Sequence, residues 1–575
     1  MHAVASQTLT FASSAGSSLD LVLLGVLAGV TCLLVVAYHA RIPYPILLVV
    51  GGGALAFVPG LPDVDLDPDL VLVVLLPPLL YSAAFFSSLR DLRANLAPIG
   101  LLAVGLVIAT TLTVGLVAHA FINDLSWAAA FTLGAVLSPT DPVAATAIAS
   151  RAGAPRRFVT IVEGESLLND SSGLIIYKAA VAATLTGTFS LLDSGLDFVV
   201  GAAAGIAIGI VVGMIVARVR RVVDDPPTEI TISLMTPYFA YLPAEALGVS
   251  AVLAAVTIGI WLGWRAPELI TPAVRIQSFS VWEILTFVLN AALFVLVGLQ
   301  LPQIVERIAD KYAVADLVWW SALVFTVVVV TRFAWVAVAT YVPRLWLKHS
   351  PWDGPDYKPG AVALVGWTGM RGAVSLAAAL AIPLTVDGGA PFPGRDLIIF
   401  LVYVTILATL LVEGLSLAPL IRLLGVEDDG RLDRLEAKAR IKAARRAIGR
   451  IDELQGEDWV RDVSAQRLRN SYEFRIRRFG SRFDDDDDGA DEARSQAYQL
   501  LRREVLEAER AEIIRLRNDG VINDEVLRRI QHDLDLEDAR LDLDGRGPLD
   551  LAQPSEAESE EDARIEHDPG PTPRA

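Results

Sequence analysis

Residues 163–177 read EGESLLNDSSGLIIY, and their setting decides the fold. The stretch follows a basic loop, SRAGAPRRF at 150–158, and opens an apolar run that continues to about residue 187. At about 1.5 Å of rise per helical residue, Asp170 lies roughly 20 Å beyond Arg157. That depth is near the middle of a bilayer, whose hydrocarbon core is about 30 Å thick. A bare carboxylate there is expensive, so Asp170 is either a protonated side chain satisfied by a neighbouring helix or a functional group.

The composition fits such a setting. The 575 residues are 53% hydrophobic and the mean hydropathy is +0.50, yet the formal net charge is −18. These values agree only because polarity is segregated: residues 1 to about 425 are apolar runs with short breaks, and residues 427–575 are dense in Asp, Glu and Arg. The pattern predicts an all-α polytopic membrane protein with a helical cytoplasmic tail. Its expected divisions are an extracytoplasmic segment at 1–19, a transmembrane domain at 20–424, a helical domain at 425–544 and a disordered acidic end at 545–575. The acidity argues against a nucleic-acid partner. A single cysteine, Cys32, excludes an intrachain disulfide and a cysteine-based metal cluster, and its apolar neighbours predict simple packing. His2, His39, His119, His349, His532 and His567 fall at run edges, in loops or in the tail, so no buried histidine cluster and no resident cofactor are expected. Phosphate-binding loops and nucleophile elbows are missing, which argues against an enzyme. The first twenty residues lack a basic start and predict a retained N-terminus, not a cleaved signal peptide.

Apolar runs suited to spanning helices lie near 20–40, 42–58, 69–86, 98–121, 127–149, 158–187, 196–218, 229–244, 249–264, 279–300, 316–342, 359–385 and 396–424, giving about thirteen spans. Loop charge orients them. One alternate set of loops carries Arg41, Arg90, Arg93, Arg151, Arg156, Arg157, Arg218, Arg220, Arg221, Arg265, Arg275, Arg344, Lys348 and Lys358; the other has Arg307, Lys311, Arg395 and the acidic stretch LPDVDLDPD. The positive-inside rule then predicts an outside N-terminus and a cytoplasmic tail, in the cell membrane.

Two spans are interrupted. In GAVLSPTDPVAATAI (134–148), Pro139 and Pro142 delete backbone donors and are expected to push Ser138 and Asp141 out of helical geometry, unwinding the helix around Thr140 and Asp141. In VGWTGMRGAVSLAAAL (365–380), Gly366, Gly369 and Gly372 surround Arg371, about 18 Å in from Pro359. The interrupted spans are fifth and twelfth. An odd offset reverses direction, so the layout predicts inverted repeats with a midplane site between them.

Asp141 and Asp170 stand at comparable depth on adjoining spans and can converge. Ser166, four residues before Asp170, shares its helix face. Carbonyls freed near Thr140 complete a set of hard oxygen ligands, which points to an alkali cation, with Asp170 holding either the cation or a proton. Glu165 and Arg371 are expected to form an ion pair joining the two halves. Glu163 lines an entrance or reaches solvent, Lys178 snorkels or pairs locally, and Glu283 and Arg332 have no partner assignable from spacing.

The segments GESLLND (164–170), TDPVAA (140–145), LLPPLL (75–80) and GMRGAVSLA (369–377), in their order along the chain, resemble the monovalent cation:proton antiporter superfamily, and within it the sodium/proton exchangers of its first class. The resemblance covers about residues 20–424. It implies a thirteen-helix fold with crossed broken helices, a dimerisation domain that makes a homodimer, and an elevator-like movement serving sodium transport and pH homeostasis. At matching positions it implies cation ligation by Asp170, Asp141, Ser166 and the Thr140 carbonyl, with Asn169 bridging the broken helix and Glu165 paired to Arg371. The adjacent Asn169 and Asp170 also mark electroneutral exchange of one Na⁺ or Li⁺ for one H⁺. Many relatives carry an acid where this chain has Ser82, which leaves a K⁺/H⁺ antiporter as the alternative within transport. A gated cation channel is the alternative of another class.

Beyond the spans, segments 431–454, 457–479, 490–518 and 522–538 mix apolar residues at helical spacing with charge. The acidic run Asp484 to Asp488 reads as a solvated linker or a Ca²⁺- or pH-sensing element, and EF-hand spacing is missing from it.

Overall fold

A computed structural model of the chain describes residues 29–37, 39, 43–58, 66–188, 190–223, 225–346, 359–426, 430–481 and 490–545. The segment 1–19, the run Asp484 to Asp488 and the end from 546 lie outside the described residues. Among those described, helices form throughout and no strand does; a single bridge joins Thr385 and Pro391. Two compact units divide the chain, Met1–Asp428 and Asp429–Ala575.

Helices occupy every apolar run from 42–58 onward. In order they are α1 (Tyr44–Leu55), α2 (Leu76–Phe86), α3 (Leu89–Ala94), α4 (Leu96–Gly100), α5 (Val107–Phe121), α6 (Trp127–Leu137), α7 (Pro142–Arg151), α8 (Arg156–Thr186), α9 (Leu191–Arg220), α10 (Pro226–Ala246), α11 (Ala251–Leu269), α12 (Pro272–Leu299), α13 (Leu301–Ala309), α14 (Val314–Trp346), α15 (Pro359–Trp367), α16 (Ala373–Leu380), α17 (Arg395–Ala408) and α18 (Gly414–Leu424). Of the first run, residues 29–37 are helical. Three π-helical segments splice neighbours into longer rods: Leu70–Leu75 leads into α2, Leu101–Leu106 joins α4 to α5, and Thr409–Glu413 joins α17 to α18.

The ends follow local chemistry. Ser126, Asp225 and Ser250 accept backbone N–H bonds at the starts of α6, α10 and α11, at 3.3, 3.1 and 3.3 Å. Gly187, with φ +71°, closes α8 in the left-handed conformation. Among the described residues five rods are long and apolar enough to cross a membrane: Leu96–Phe121, Ser194–Arg220, Pro272–Ala309, Val314–Pro343 and Arg395–Leu424. Length keeps the two interrupted spans outside that group, because each is cut into halves.

Two apolar cores form within the first unit. One gathers residues of α5 to α8, the C-terminal half of α12, and α15 to α18; the other gathers α2, α10, α11 and the N-terminal half of α12. Three elements pass between them. The third apolar run changes core where its π-helical start gives way to α2, with Val71 and Leu75 in the first core and Leu76 and Leu80 in the second. In α12, Val274 and Trp282 lie in the second core and Ala291 to Leu299 in the first. The third is α8, with Phe158 and Tyr177 in the first and Leu167 in the second, so Asp170 lies along the seam.

Three expectations need correction. Ser138 keeps right-handed helical angles (φ −73°, ψ −39°) although a proline follows it. Its N–H and Oγ both donate to the Ala135 carbonyl, at 3.3 and 2.8 Å, which holds that last turn closed. Cys32 is exposed among the described residues, where packing was expected. Arg220, counted among the basic loop residues, is buried and paired with Glu229 at 3.0 Å; removing it leaves the loop asymmetry in place.

The second unit consists of α19 (Arg431–Leu454), α20 (Asp462–Ser481), α21 (Ala490–Asn518) and α22 (Asp524–Gly545). Arg440 and Glu436 pair within α19, and the surface pair Arg510–Asp538 joins α21 to α22.

Candidate cation site at two helix breaks

The first interrupted span stops at Leu137 and resumes at Pro142. Proline lacks the N–H that would continue the ladder, and Pro142 suits the first position of a new helix. Asp141 turns extended (φ −95°, ψ 120°) and caps α7, its Oδ1 accepting from the Val143 N–H at 2.9 Å. In an unbroken helix the Asp141 N–H would bond the Leu137 carbonyl. Here each member of that pair bonds the second break instead. Asp141 N–H donates to Met370 O at 2.8 Å, and Arg371 Nε donates to Leu137 O at 2.9 Å.

The second break runs from 368 to 372, between α15 and α16. A Cβ on Gly372 would lie 1.9 Å from Asp141 Oδ2, so no larger residue permits this approach. Arg371 N–H donates to Thr409 Oγ1 at 3.1 Å, and Gly369 N–H to Glu413 Oε2 at 3.0 Å. Both acceptors belong to the π-helical segment Thr409–Glu413. Arg371 Nη1 bonds the Gly369 carbonyl, and its Nη2 is buried with no partner among the described residues.

Helix α8 lies against the first break, where Gly173 meets the Pro139 ring and a Cβ would come within 2.4 Å of its Cγ. Asn169 Nδ2 donates to Thr140 Oγ1 at 2.8 Å, and Thr140 Oγ1 donates to Glu165 Oε1 at 3.1 Å. The single Thr140 hydroxyl proton goes to Glu165, which fixes the Asn169 amide with its NH₂ toward Thr140. Asn169 Oδ1 is left buried without a partner among the described residues. Glu165 is in turn gripped by Arg332, Nη1 to Oε1 at 2.5 Å and Nη2 to Oε2 at 2.9 Å, with both side chains 1% exposed.

The expected Glu165–Arg371 pair is therefore wrong in its cation. Arg332 on α14 offers a planar fork that fits both carboxylate oxygens. Arg371 is held by backbone carbonyls, and Glu413 is the opposing charge that acts on it first. Arg332 in VVVVTRFAWV and Glu413 in LLVEGLSL stand alone in apolar runs, a signal that each needs a partner but not of which partner it takes.

Asp170 is buried, and no hydrogen bond ties its carboxylate among the described residues; Asp141 is the charge that acts on it. Ser166 is buried one turn earlier on α8. Ser82 is buried in α2 with its hydroxyl turned to its own helix, bonding Leu79 O at 3.0 Å, and no hydrogen bond joins it to this network. Glu163 is half-buried and Lys178 exposed. Among the described residues no group of three or more His, Cys, Asp or Glu could hold a metal ion. A buried carboxylate beside a half-buried one favours one shared positive charge, a proton or a monovalent cation.

Known proteins share this chain's sequence and fold. A sequence model of the family described as "Sodium/hydrogen exchanger, transmembrane" matches residues 25–423. An uncharacterized Na⁺/H⁺ exchanger of Mycobacterium tuberculosis is 36% identical over 534 residues, covering 90% of this chain and 96% of the relative. A Bacillus pumilus protein named as a sodium, potassium, lithium and rubidium/H⁺ antiporter is 34% identical over 449 residues, 76% of this chain and 66% of its own length. The structure of the sodium proton antiporter MjNhaP1 from Methanocaldococcus jannaschii matches with a TM-score of 0.55 at 18% identity, covering 71% of this chain and 99% of that one, which is a likeness of fold. The chain belongs to the sodium/hydrogen exchanger family, whose members are membrane-integral transporters and not enzymes.

Proposed function

We propose that this protein is a secondary antiporter that exchanges Na⁺ or Li⁺ for H⁺ across the cell membrane, with cation and proton competing for Asp170. The observation that carries the reading is a buried Asp170 carboxylate, free of hydrogen bonds, beside Asp141 at a proline-made helix break. Asp141, Ser166 and the Thr140 carbonyl complete the cation's oxygen shell. Asn169, Glu165 and Arg332 hold the Thr140 segment, and Arg371 ties the second break to the first. With one titrating carrier, a bound proton and a bound Na⁺ leave the same net charge, so exchange is one for one and electroneutral.

The same reading includes thirteen spans in inverted repeats, an outside N-terminus, a cytoplasmic helical domain at 425–544, a homodimer and a role in pH homeostasis. The serine at position 82 favours a second reading in which K⁺ is also carried. The relative named for sodium, potassium, lithium and rubidium exchange supports that wider range.

In everted vesicles with an imposed proton gradient, Na⁺ or Li⁺ dissipates the gradient and Asp170→Asn abolishes the response. Undiminished exchange in the variant overturns the assignment. Parallel additions of Na⁺, Li⁺ and K⁺ separate the two readings, and single-channel current would replace both with a channel.

A further inference from the structure

The second break has supports that the cation chemistry does not use. Alternate residues of 367–371 bond one face of the last span. Trp367 Nε1 donates to Ser416 Oγ at 2.8 Å, Gly369 N–H to Glu413 Oε2 at 3.0 Å, and Arg371 N–H to Thr409 Oγ1 at 3.1 Å. As the first set of positions rises by two, the second falls by three or four, which is an antiparallel ladder of three rungs. Gly369 N–H is also shared with the Trp367 carbonyl at 3.0 Å. Thr409 has its donor role filled as well, bonding Ile406 O at 3.0 Å.

Thr409, Glu413 and Arg371 are all buried, so water does not replace a lost rung. Between the two backbone rungs the Met370 carbonyl faces the other way and accepts from Asp141 N–H. An unwound glycine-rich segment has many conformations available, and these rungs select the one that brings Met370 O to Asp141. A π-helical segment whose side chains accept from both backbone N–H groups is itself a feature that recurs at functional sites.

We infer that Thr409 and Glu413 are positioning residues for the cation site: they splint the second break so that Met370 holds the backbone of Asp141 in register with Asp170. The inference rests on the reading of Asp141 as a cation ligand. It adds two residues that touch no transported ion.

The test uses the full chain in lipid nanodiscs and proteoliposomes, with Thr409→Val, Thr409→Ser and Glu413→Ala. Hydrogen exchange read by mass spectrometry should show faster deuterium uptake in Thr409→Val and Glu413→Ala, both in peptides spanning 366–372 and in peptides spanning 138–143. Thr409→Ser, which keeps the hydroxyl, should match the wild type. In transport, Thr409→Val should raise the apparent KM for Na⁺ about tenfold while kcat changes by less than about threefold, with Thr409→Ser restoring the KM. A variant that only weakened the fold would lower the yield and leave the KM of the surviving protein unchanged. Unchanged uptake at 138–143 in both Thr409→Val and Glu413→Ala overturns the splint, as does an unchanged KM. If the wild type itself shows no cation-coupled proton flux, the exchange reading fails, and hydrogen exchange still decides the splint.

Discussion

The two helix breaks reach the same end by different means. Between Leu137 and Pro142 the ladder is cut by prolines, so the missing donors are missing in any surroundings. Between Trp367 and Ala373 no proline stands; glycines permit the unwinding, while Thr409, Glu413 and Leu137 hold it. The first break is written in the chain. The second is conditional on its neighbours, and so it is the one through which a change elsewhere in the membrane unit can reach the site.

The largest effect is expected where an outside support is removed. Arg332→Ala strands Glu165 as an unpaired buried charge and takes from the Val365 carbonyl at the end of α15 its bond to Arg332 Nε at 3.1 Å, leaving among the described residues only the Thr368 hydroxyl at 3.2 Å. Breaking such a pair costs about 3–5 kcal/mol, read as thermal unfolding of the purified protein in detergent, and a paired Glu165→Leu, Arg332→Leu variant should recover much of it. A single variant as stable as wild type would mean the second break stands unaided.

Next comes the contact between the breaks. Gly372→Ala forces a methyl group against Asp141 Oδ2 and should cost about 1–3 kcal/mol and most of the exchange activity. Gly100→Ala, where a Cβ meets nothing within 4 Å, is the control and should stabilise by about 0.5–1 kcal/mol. Equal losses in the two variants would dissolve the special status of the crossing.

Restoring a donor to the first break should matter less. Pro142→Ala returns an N–H, yet the Asp141 N–H and the Leu137 carbonyl are already committed to the other break. Exchange should fall no more than about tenfold, equivalent to about 1.4 kcal/mol. Complete loss would show that the proline alone keeps the helix open.

The smallest effect compares two aspartate caps. Asp225 caps α10 in the open, and hydrogen bonds from the Thr228 hydroxyl and N–H hold its carboxyl below the usual range. A depressed carboxylate contributes stability above its unfolded value and loses it as pH falls through the folded one. Asp225→Ala should therefore lower the unfolding midpoint slightly at neutral pH, and the difference from wild type should vanish under acid conditions. Asp141→Ala removes a cap of the same kind together with the proposed cation ligand, and its transport defect should persist at every pH at which the wild type exchanges.

Much of this organisation was legible before the structure, for reasons tied to particular residues. Apolar periodicity located the helices, and Pro139 and Pro142 announced the first break because proline acts through its own covalent form. Counting rise per residue put Asp170 and Asp141 on adjoining spans as candidate neighbours. Partner identity was not legible in that way. Glu165 had two candidate arginines at membrane depth, and only tertiary packing selects Arg332 over Arg371. Glu413 escaped notice because its function as an acceptor for Gly369 depends on a backbone that is unwound only in the folded protein. Ser138 kept its helical angles because its own side chain doubled the bond to Ala135, a local competition that a proline rule does not weigh.

The π-helical segment Thr409–Glu413 carries a consequence for how such a chain tolerates insertions and deletions. A π turn holds more residues than an α turn, so losing one residue here is absorbed by ordinary α geometry with no gap in the span. Positions beyond it would then keep nearly the same face of the helix, because the turn gives up only its extra residue. The rung at 416 would stay on the break, while the spacing of the two acceptors inside the turn, Thr409 and Glu413, would change. A single-codon deletion in this segment would thus leave a well-formed last helix and a weakened hold on Gly369 and Arg371, a lesion that inspection of helix content would miss.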